Sequence, residues 1–566
     1  MARPADYPPP VTANEFVVPP AAGEDDRLDV GALFVGGGPA GLAGAIRLAQ
    51  LVADDEAAME ALGEVPIAVV DKGASVGSHE LSGAIVNPGP LQELFPGVSL
   101  EDMTSWGPVE KEAVYLLTRR KKLRLPTPPP FRNHGNYIFS LSRLTRWMAE
   151  QAEELGVMIL PETSADRLLV EGDGVVGVRT GDKGRGREGE ELANFEPGAE
   201  LHAQLTVLSE GTQGHLTLAA LERFGLQQDP QVWALGVKEL WKIPQPLDRI
   251  IHTMGWPLRK GAKYQEFGGS FIYPMGPEHL CIGFVTGLDT RDASFSVHDI
   301  LQEFKTHPYI RTLLEGGERV SWGAKTIPEG GYWALPKQLS VPGAVIAGDG
   351  AGMVNVPKLK GVHLAIRAGM LAAEAAYARL KAGESLRDVR LSAYDDAVAS
   401  SEITKDLYRS RNMKQPFTRG FFMGGAIANM MEMTGGRLPG GHWKLHRDAD
   451  ADLFVTDRYK RYPVPDGSLT FDKLSSVFLS GNKTRDDQPN HVRVEQQLPR
   501  SVALGYVHMC PAEVYELEEA ARDGDPNEIV TMQLNPSNCV HCGAITAKGG
   551  RLTPPEGGSG PEYTQM

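Results

Sequence analysis

Val30-Gly-Ala-Leu-Phe-Val35-Gly36-Gly37-Gly38-Pro39-Ala40-Gly41-Leu42 carries a strand, a glycine-rich turn and the start of a helix. The apolar run Leu33 to Val35 reads as a buried strand. It enters Gly36-x-Gly38-x-x-Gly41, and the helix-prone Leu42 to Leu51 follows. This is the strand–turn–helix setting of a dinucleotide fingerprint. The first glycine permits the turn, the second lets a pyrophosphate approach the backbone, and the third lets helix and strand pack closely. The helix N-terminus offers free N–H groups and a positive dipole end to the phosphates. Alone, the motif also fits a glycine-rich turn in any α/β domain.

Two further features point to FAD. Ile67-Ala-Val-Val70 reads as the next parallel strand, and Asp71 at its end can accept a hydrogen bond from a ribose hydroxyl. The acidic insert Asp54 to Glu64, read as an extended helix and loop, accounts for the long gap from the glycines to Asp71. Much later, Gly343-Ala-Val-Ile346 leads into Gly348-Asp349-Gly350-Ala351-Gly352. A strand ending in Gly-Asp before a helix suits the ribityl and pyrophosphate of a two-site FAD protein. A nicotinamide-only enzyme lacks this second site.

The chain has 566 residues and a formal charge of −15. That length suggests several packing units, and the charge argues against nucleic acid as a partner. Four cysteines, Cys281, Cys510, Cys539 and Cys542, are too few for a disulfide framework; their clustering suggests metal or redox chemistry in a reducing compartment. The N-terminus, with early acids and no apolar core, reads as neither a signal peptide nor a good transit peptide. No run approaches the length needed to span a bilayer.

Residues 1–26 read as a flexible arm. Leu116 to Leu125 carries Arg119-Arg120-Lys121-Lys122 and reads either as a surface hairpin with a charged tip or as a membrane-surface contact. Leu141 to Leu155 reads as an amphipathic helix, Val157 to Leu160, Val175 to Thr180 and Leu201 to Ser209 as strands, and Glu210-Gly211 as a return to the flavin. Trp233 to Leu288 alternates in β fashion, with Gly268-Gly269 inside a strand, where glycine marks a bulge or a close approach. Val362 to Leu380 reads as a helix closing the flavin site. Gly420 to Met431 is uncharged and too short to span, so it is a core helix or an interfacial segment. His442 to Asp466 reads as a linker.

Cys510-Pro-Ala512 and Cys539-Val-His-Cys542 resemble ferredoxin-like ligation. The next cysteine of such a run belongs at position 545, which is Ile545. The open alternatives are a zinc site using His541, ranked below iron–sulfur, a [3Fe–4S] cluster, a [4Fe–4S] cluster with one non-cysteine ligand, or no metal. Cys281 reads as a small core residue.

From about Asp29 onward the chain resembles the electron-transfer flavoprotein:ubiquinone oxidoreductase family. The resemblance rests on Val35 to Leu42, Leu81-Ser-Gly-Ala84, Asn133-His-Gly-Asn-Tyr137, Lys238-Glu-Leu-Trp241, Gly268-Gly-Ser-Phe271, Asn355-Val-Pro-Lys358, Asp487-Gln-Pro489, Asn538-Cys-Val-His-Cys542 and Pro555-Glu-Gly-Gly558. It implies an α/β and α+β architecture: a Rossmann-like FAD-binding domain, an inserted quinone-binding β-sheet domain and a C-terminal ferredoxin-like iron–sulfur domain. The expected boundaries are 27–235 with 336–412 for FAD, 236–335 with 413–446 for quinone and membrane contact, and 447–566 for iron–sulfur. FAD would be held by Gly36, Gly38, Pro39, Ala40, Gly41, Asp71, Lys72, Ser82, Gly83, Glu210, Gly211, Gly348, Asp349, Asn355, Gly361 and Val362. Gly268 and Gly269 would admit the quinone ring. Cys510, Cys539 and Cys542 would ligate the cluster, a [4Fe–4S] centre in the family, with Ile545 replacing the last cysteine.

The implied function is membrane-associated electron transfer from reduced electron-transfer flavoprotein to ubiquinone or menaquinone, without a general base or nucleophile. The implied location is the inner face of a quinone-containing membrane, cytoplasmic in preference to mitochondrial. The alternative is an FAD-dependent hydroxylase or reductase of a lipid-like substrate with a vestigial metal module.

Overall fold

A computed structural model describes the chain except residues 1, 22, 24–26, 84 and 213. Part of the N-terminal arm and Ala84 of the Leu81 to Ala84 motif therefore lie outside the described residues.

The fingerprint strand is Arg27–Val35, buried from Val30 onward. It pairs in parallel with Ile67–Val70 on one side and with Glu200–Leu208 on the other. Glu200–Leu208 also pairs in parallel with Ala344–Ile346. The turns beginning at Gly36 and Gly348 thus leave the carboxyl ends of parallel strands at one edge, where α/β sheets bind ligands. The near-continuous apolar runs in these strands fit burial on both faces. Pro39–Val52 follows the fingerprint, with Pro39 at the first turn, where its missing N–H costs nothing. This helix crosses Val362–Lys381 at very close range: a Cβ on Gly369 would lie 2.0 Å from the Ala40 carbonyl oxygen. The acidic insert is a separate short helix, Glu56–Leu62, capped by the Asp55 carboxylate, which accepts from the Ala58 N–H at 3.1 Å.

A second sheet runs in the order Glu318–Pro328, Trp233–Lys242, His279–Gly287, Gly268–Pro274, Ile250–Gly255, Glu112–Leu117, Lys122–Leu125. All its pairings are antiparallel except Ile250–Gly255 with Glu112–Leu117. The basic hairpin therefore extends this sheet, although the sequence reading assigned it to the FAD unit. Cys281 is fully buried in the sheet, as a small core residue should be.

The remaining segments are less independent than their composition suggests. One apolar core joins Trp241, Phe284 and Phe304 of the second sheet region to Val502, Tyr506 and Met509 of the C-terminal segment. The stretch read as a linker buries Asp448 and Leu453. The arm is not loose along its described length: Ala13 and Phe16 are buried, and Val17–Val18 pairs with Leu168 and Leu169. The uncharged segment forms Phe421–Met433 and faces outward, with Phe422 67%, Met423 54% and Met433 88% exposed. The core-helix alternative does not hold.

Candidate functional site

The strand ends frame a cavity of about 290 Å³. Its entrance turn explains the glycines. Gly36 has φ +106°, and a Cβ there would meet the Ser209 carbonyl oxygen at 2.5 Å. A Cβ on Gly41 would meet the Gly36 carbonyl oxygen at 2.1 Å, so Gly41 serves helix–strand contact and does not line the cavity. Gly38 is different: its Cβ would meet only the Glu80 carboxyl, at 3.0 Å. It leaves the backbone open to a ligand, beside Pro39 and Ala40.

Asp71 lines the cavity and accepts from the Gly37 N–H at 2.9 Å and the Gly73 N–H at 2.8 Å. Burial raises its pKa against those bonds. Burial and the neighbouring Lys325 lower Lys72 to about 8. Ser82, Gly83, Gly211, Asp349, Gly361 and Val362 line the same space. Burial lifts Asp349 to about 6.

Three expected residues have other duties. Glu210 lines the cavity, yet its carboxylate accepts from the N–H and hydroxyl of Thr217 at 2.6 and 2.7 Å. Burial opposes its ionisation, but His215 and Thr217 hold it below the usual range. Asn355 does not line the cavity; its side chain donates to Asp406 at 2.9 Å and accepts from the Lys358 N–H at 3.1 Å, fixing a loop. Gly348, at φ +71°, packs against Ala40 and Ala365. Conversely, Glu80, Lys238 and Lys325 line the cavity without having been singled out for it. Burial pushes Glu80 to about 7. A fingerprint turn, an acid after the second strand and a remote Gly-Asp all facing one cavity fit FAD.

Cys510, Cys539 and Cys542 line one small pocket of about 20 Å³. Loop geometry aims backbone donors at the sulfurs. The Ala512 and Val514 N–H groups reach Cys510 Sγ at 3.4 and 3.5 Å. The His541 N–H serves Cys539 and the Ala544 N–H serves Cys542. His541 adopts φ +50° to make that turn, and Gly543 adopts +84°. Burial, reinforced by the neighbouring thiols, raises Cys542 to about 12 and Cys539 further. Ile545 also lines this pocket, where a fourth cysteine would project. The other side chains there are Met509, Ala512, Val514, Val540, Ala544, Leu552 and the Tyr515 ring, with no carboxylate or imidazole. The donor set fits iron–sulfur with three thiolate ligands.

Behind Cys539 the structure places His491, which the sequence reading missed. One donor atom each of His491, His541 and Cys539 lie within 4.8 Å of one another. The His491 and His541 ring nitrogens have no hydrogen-bond partner among the described residues. A second, mutually exclusive use of Cys539 is therefore a mononuclear metal.

A third cavity, of about 280 Å³ and mostly apolar, lies across the FAD cavity wall. Gly268 and Gly269 line it with Phe131, Phe271, Phe417 and Phe421. Both glycines are already required by the sheet: Cβ atoms there would lie 2.0 Å from the Val285 oxygen and 2.4 Å from the Thr253 oxygen. Gly425, from the outward-facing helix, lines the same cavity.

The family described as "ETF-QO, ubiquinone-binding" matches residues 233–327, and "Electron transfer flavoprotein-ubiquinone oxidoreductase, 4Fe-4S" matches residues 467–564. The electron transfer flavoprotein-ubiquinone oxidoreductase of Oryza sativa subsp. japonica is 37% identical, over 96% of this chain and 94% of its own length. A probable member from Acinetobacter baylyi is 36% identical over 96% of this chain and 99% of its own. The human protein is 37% identical over 94% and 88%. A solved geranylgeranyl bacteriochlorophyll reductase-like protein from Thermoplasma acidophilum shares the fold, with TM-score 0.54 and 14% identity over 73% of this chain and 92% of its own. With two family segments matched and relatives aligned end to end, this chain belongs to the electron transfer flavoprotein-ubiquinone oxidoreductase family.

Proposed function

We propose that this chain takes electrons from reduced electron-transfer flavoprotein and passes them through an iron–sulfur centre and FAD to a quinone. One observation carries this reading: three cavities stand in series. Gly543 and Leu552 line both the cysteine pocket and the FAD cavity. Phe271, Val285 and Val354 line both the FAD cavity and the apolar cavity. The apolar cavity ends at the outward-facing helix Phe421–Met433.

The bound cofactors supply the redox chemistry. Gly36, Gly38, Pro39 and Ala40 hold the FAD phosphates, Gly41 lets helix and strand pack beneath them, Asp71 and Lys72 hold the ribose end, and Asp349, Gly361 and Val362 the ribityl chain. Cys510, Cys539 and Cys542 bind the cluster. Gly268, Gly269 and the phenylalanines around them keep a quinone ring dry and against the FAD wall. The lipid hydroxylase or reductase alternative is not favoured, since family matches cover both the quinone and cluster segments. NAD(P)H alone should leave the flavin oxidised in an anaerobic absorbance assay; rapid bleaching would favour that alternative.

Asp349→Ala should weaken FAD binding by about 10- to 100-fold, the loss of one buried charged hydrogen bond of about 1.5–3 kcal/mol. Flavin fluorescence titration measures it, and unchanged affinity would remove Asp349 from the site.

Among the described residues no helix is long and apolar enough to cross a membrane. The exposed Phe422, Met423 and Met433 instead suit peripheral contact, with Arg119, Arg120 and Lys121 at the hairpin tip. Flotation with anionic vesicles should be strong at low salt and weaken as salt screens the basic tip. Phe422→Glu should cut vesicle affinity by about tenfold or more, since it removes the burial of one aromatic side chain. Flotation unaffected by either change would contradict this placement.

A further inference from the structure

Reducing a quinone to a quinol takes two electrons and two protons. The partner supplies the electrons, but the quinone cavity is mostly apolar and needs its own proton source. Glu329 is 5% exposed and lines both the FAD cavity and the quinone cavity. Its carboxylate pairs with Lys414 Nζ at 2.9 Å. Lys414 also reaches Asp289 at 3.4 Å, and Asp289 is 22% exposed. The three side chains thus form a continuous chain from solvent to the inner end of the quinone cavity.

A second feature equips this chain to hold a proton. Asp448 is buried nearby; it accepts from the Trp233 N–H at 2.9 Å, and its other oxygen has no partner among the described residues. Lys548, buried as well, donates to the Leu288 carbonyl at 2.9 Å. Three carboxyls, Asp289, Glu329 and Asp448, therefore face two ammonium groups. Buried carboxyls in excess of their cations share a proton.

We propose that Glu329 is the proton donor to the bound quinone, with Lys414 holding its carboxylate form and the solvent-facing Asp289 beside Lys414 as the point of resupply. This rests on the quinone-reductase reading above. As the quinone gains its electrons from the reduced partner through the bound cofactors, the Glu329 O–H bond breaks and an O–H bond forms on the quinone oxygen. The carboxylate left behind is held by Lys414 and takes a proton from solvent at Asp289. A second round delivers the second proton, and quinol leaves.

The surroundings set the sign of the pH dependence. Burial raises the Glu329 pKa, Lys414 lowers it, and Asp289 raises it. Asp448 and Lys548 stand beside this trio, Arg411, His252 and Glu432 also line the quinone cavity, and Lys325 and Asp349 line the FAD cavity. Burial lowers His252 to about 3, so it is neutral at working pH and does not compete as an acid. The donor form of Glu329 is the protonated one, so proton delivery is complete at low pH and fails as pH rises through its pKa.

The test uses the intact, anaerobically reduced protein mixed with a short-chain ubiquinone analogue, following flavin reoxidation against pH in H2O and D2O. The natural protein should slow as pH rises and show a solvent isotope effect. Glu329→Gln should lose about tenfold or more and give a flat pH profile, while oxidation by ferricenium, which takes an electron and no proton, stays within about twofold. Lys414→Gln should move the falling limb to higher pH, because the acid form loses its opposing cation. Asp289→Asn should slow delivery of the second proton, which needs resupply, but not of the first. A parallel fall with ferricenium, or a Glu329→Gln profile like the natural one, would overturn the proposal. A natural protein that quinone does not reoxidise at all would instead remove the reading on which the proposal rests.

Discussion

Anaerobically purified protein should contain about three iron atoms per chain with matching labile sulfide, and should give an EPR signal in the oxidised state. Three cysteines line one pocket, and Ile545, at the position where the spacing calls for a fourth, lines it as well. Among the described residues lining that pocket none offers a carboxylate or an imidazole, so a fourth iron would have only a loose water or phenol ligand from within it. A [3Fe–4S] centre is paramagnetic when oxidised, whereas a [4Fe–4S] centre of the family type becomes so on reduction. Ile545→Cys would add a fourth sulfur to this pocket and should raise the iron content towards four, moving the signal to the reduced state. Because Ile545 also fills space against Gly550, whose Cβ would sit 2.5 Å from it, cysteine is the smaller residue and does not overpack the site. Zinc at about one per chain, with no sulfide, would instead assign the site to His491, His541 and Cys539.

Gly425→Phe should abolish most quinone reduction, by about 100-fold, while leaving flavin reduction by the partner unchanged. A Cβ at Gly425 meets nothing within 4 Å among the described residues, yet the residue lines the cavity proposed for the quinone. It can therefore fill the slot without straining the helix, and exclusion of a ring from the cavity costs its whole binding energy, several kcal/mol. The neighbouring Gly269 is a poorer probe. A Cβ there strikes the Thr253 carbonyl oxygen at 2.4 Å, so a loss of activity would report on the sheet as well as on the quinone. Steady-state kinetics with a short-chain quinone and with ferricenium separate the two halves of the reaction; equal losses with both acceptors would contradict the assignment of this cavity.

The parts legible in the sequence were those with local signatures. Gly36 to Gly41, Asp71 and Asp349 come from strand–turn–helix patterns whose spacing is fixed by the chain itself, and the structure brings them to one sheet edge. The missing fourth cysteine was equally readable, since it is a gap at a known spacing. Sheet membership was not. Nothing in Glu112–Leu117 says that it pairs with Ile250–Gly255, because that register depends on contacts across more than a hundred residues. The same holds for Glu329, Lys414 and Asp289, which lie on separate segments and carry no shared pattern until the fold assembles them. The arm differs from its expectation for a related reason: proline-rich composition looks loose, but Phe16 finds a buried place beside His215, with ring centroids 5.3 Å apart. The Phe421–Met433 helix remained open between core and surface because its lack of charge fits both, and only its outward face decides.

Electrons enter from a flavoprotein partner and leave on a quinone. The most direct test is an anaerobic two-step stopped-flow experiment on the purified protein. Mixing with reduced electron-transfer flavoprotein should bleach the bound flavin, and a second mix with a short-chain quinone should restore its colour with one quinol formed per flavin. A flavin that the partner leaves oxidised, or that stays reduced when quinone is added, would contradict the account.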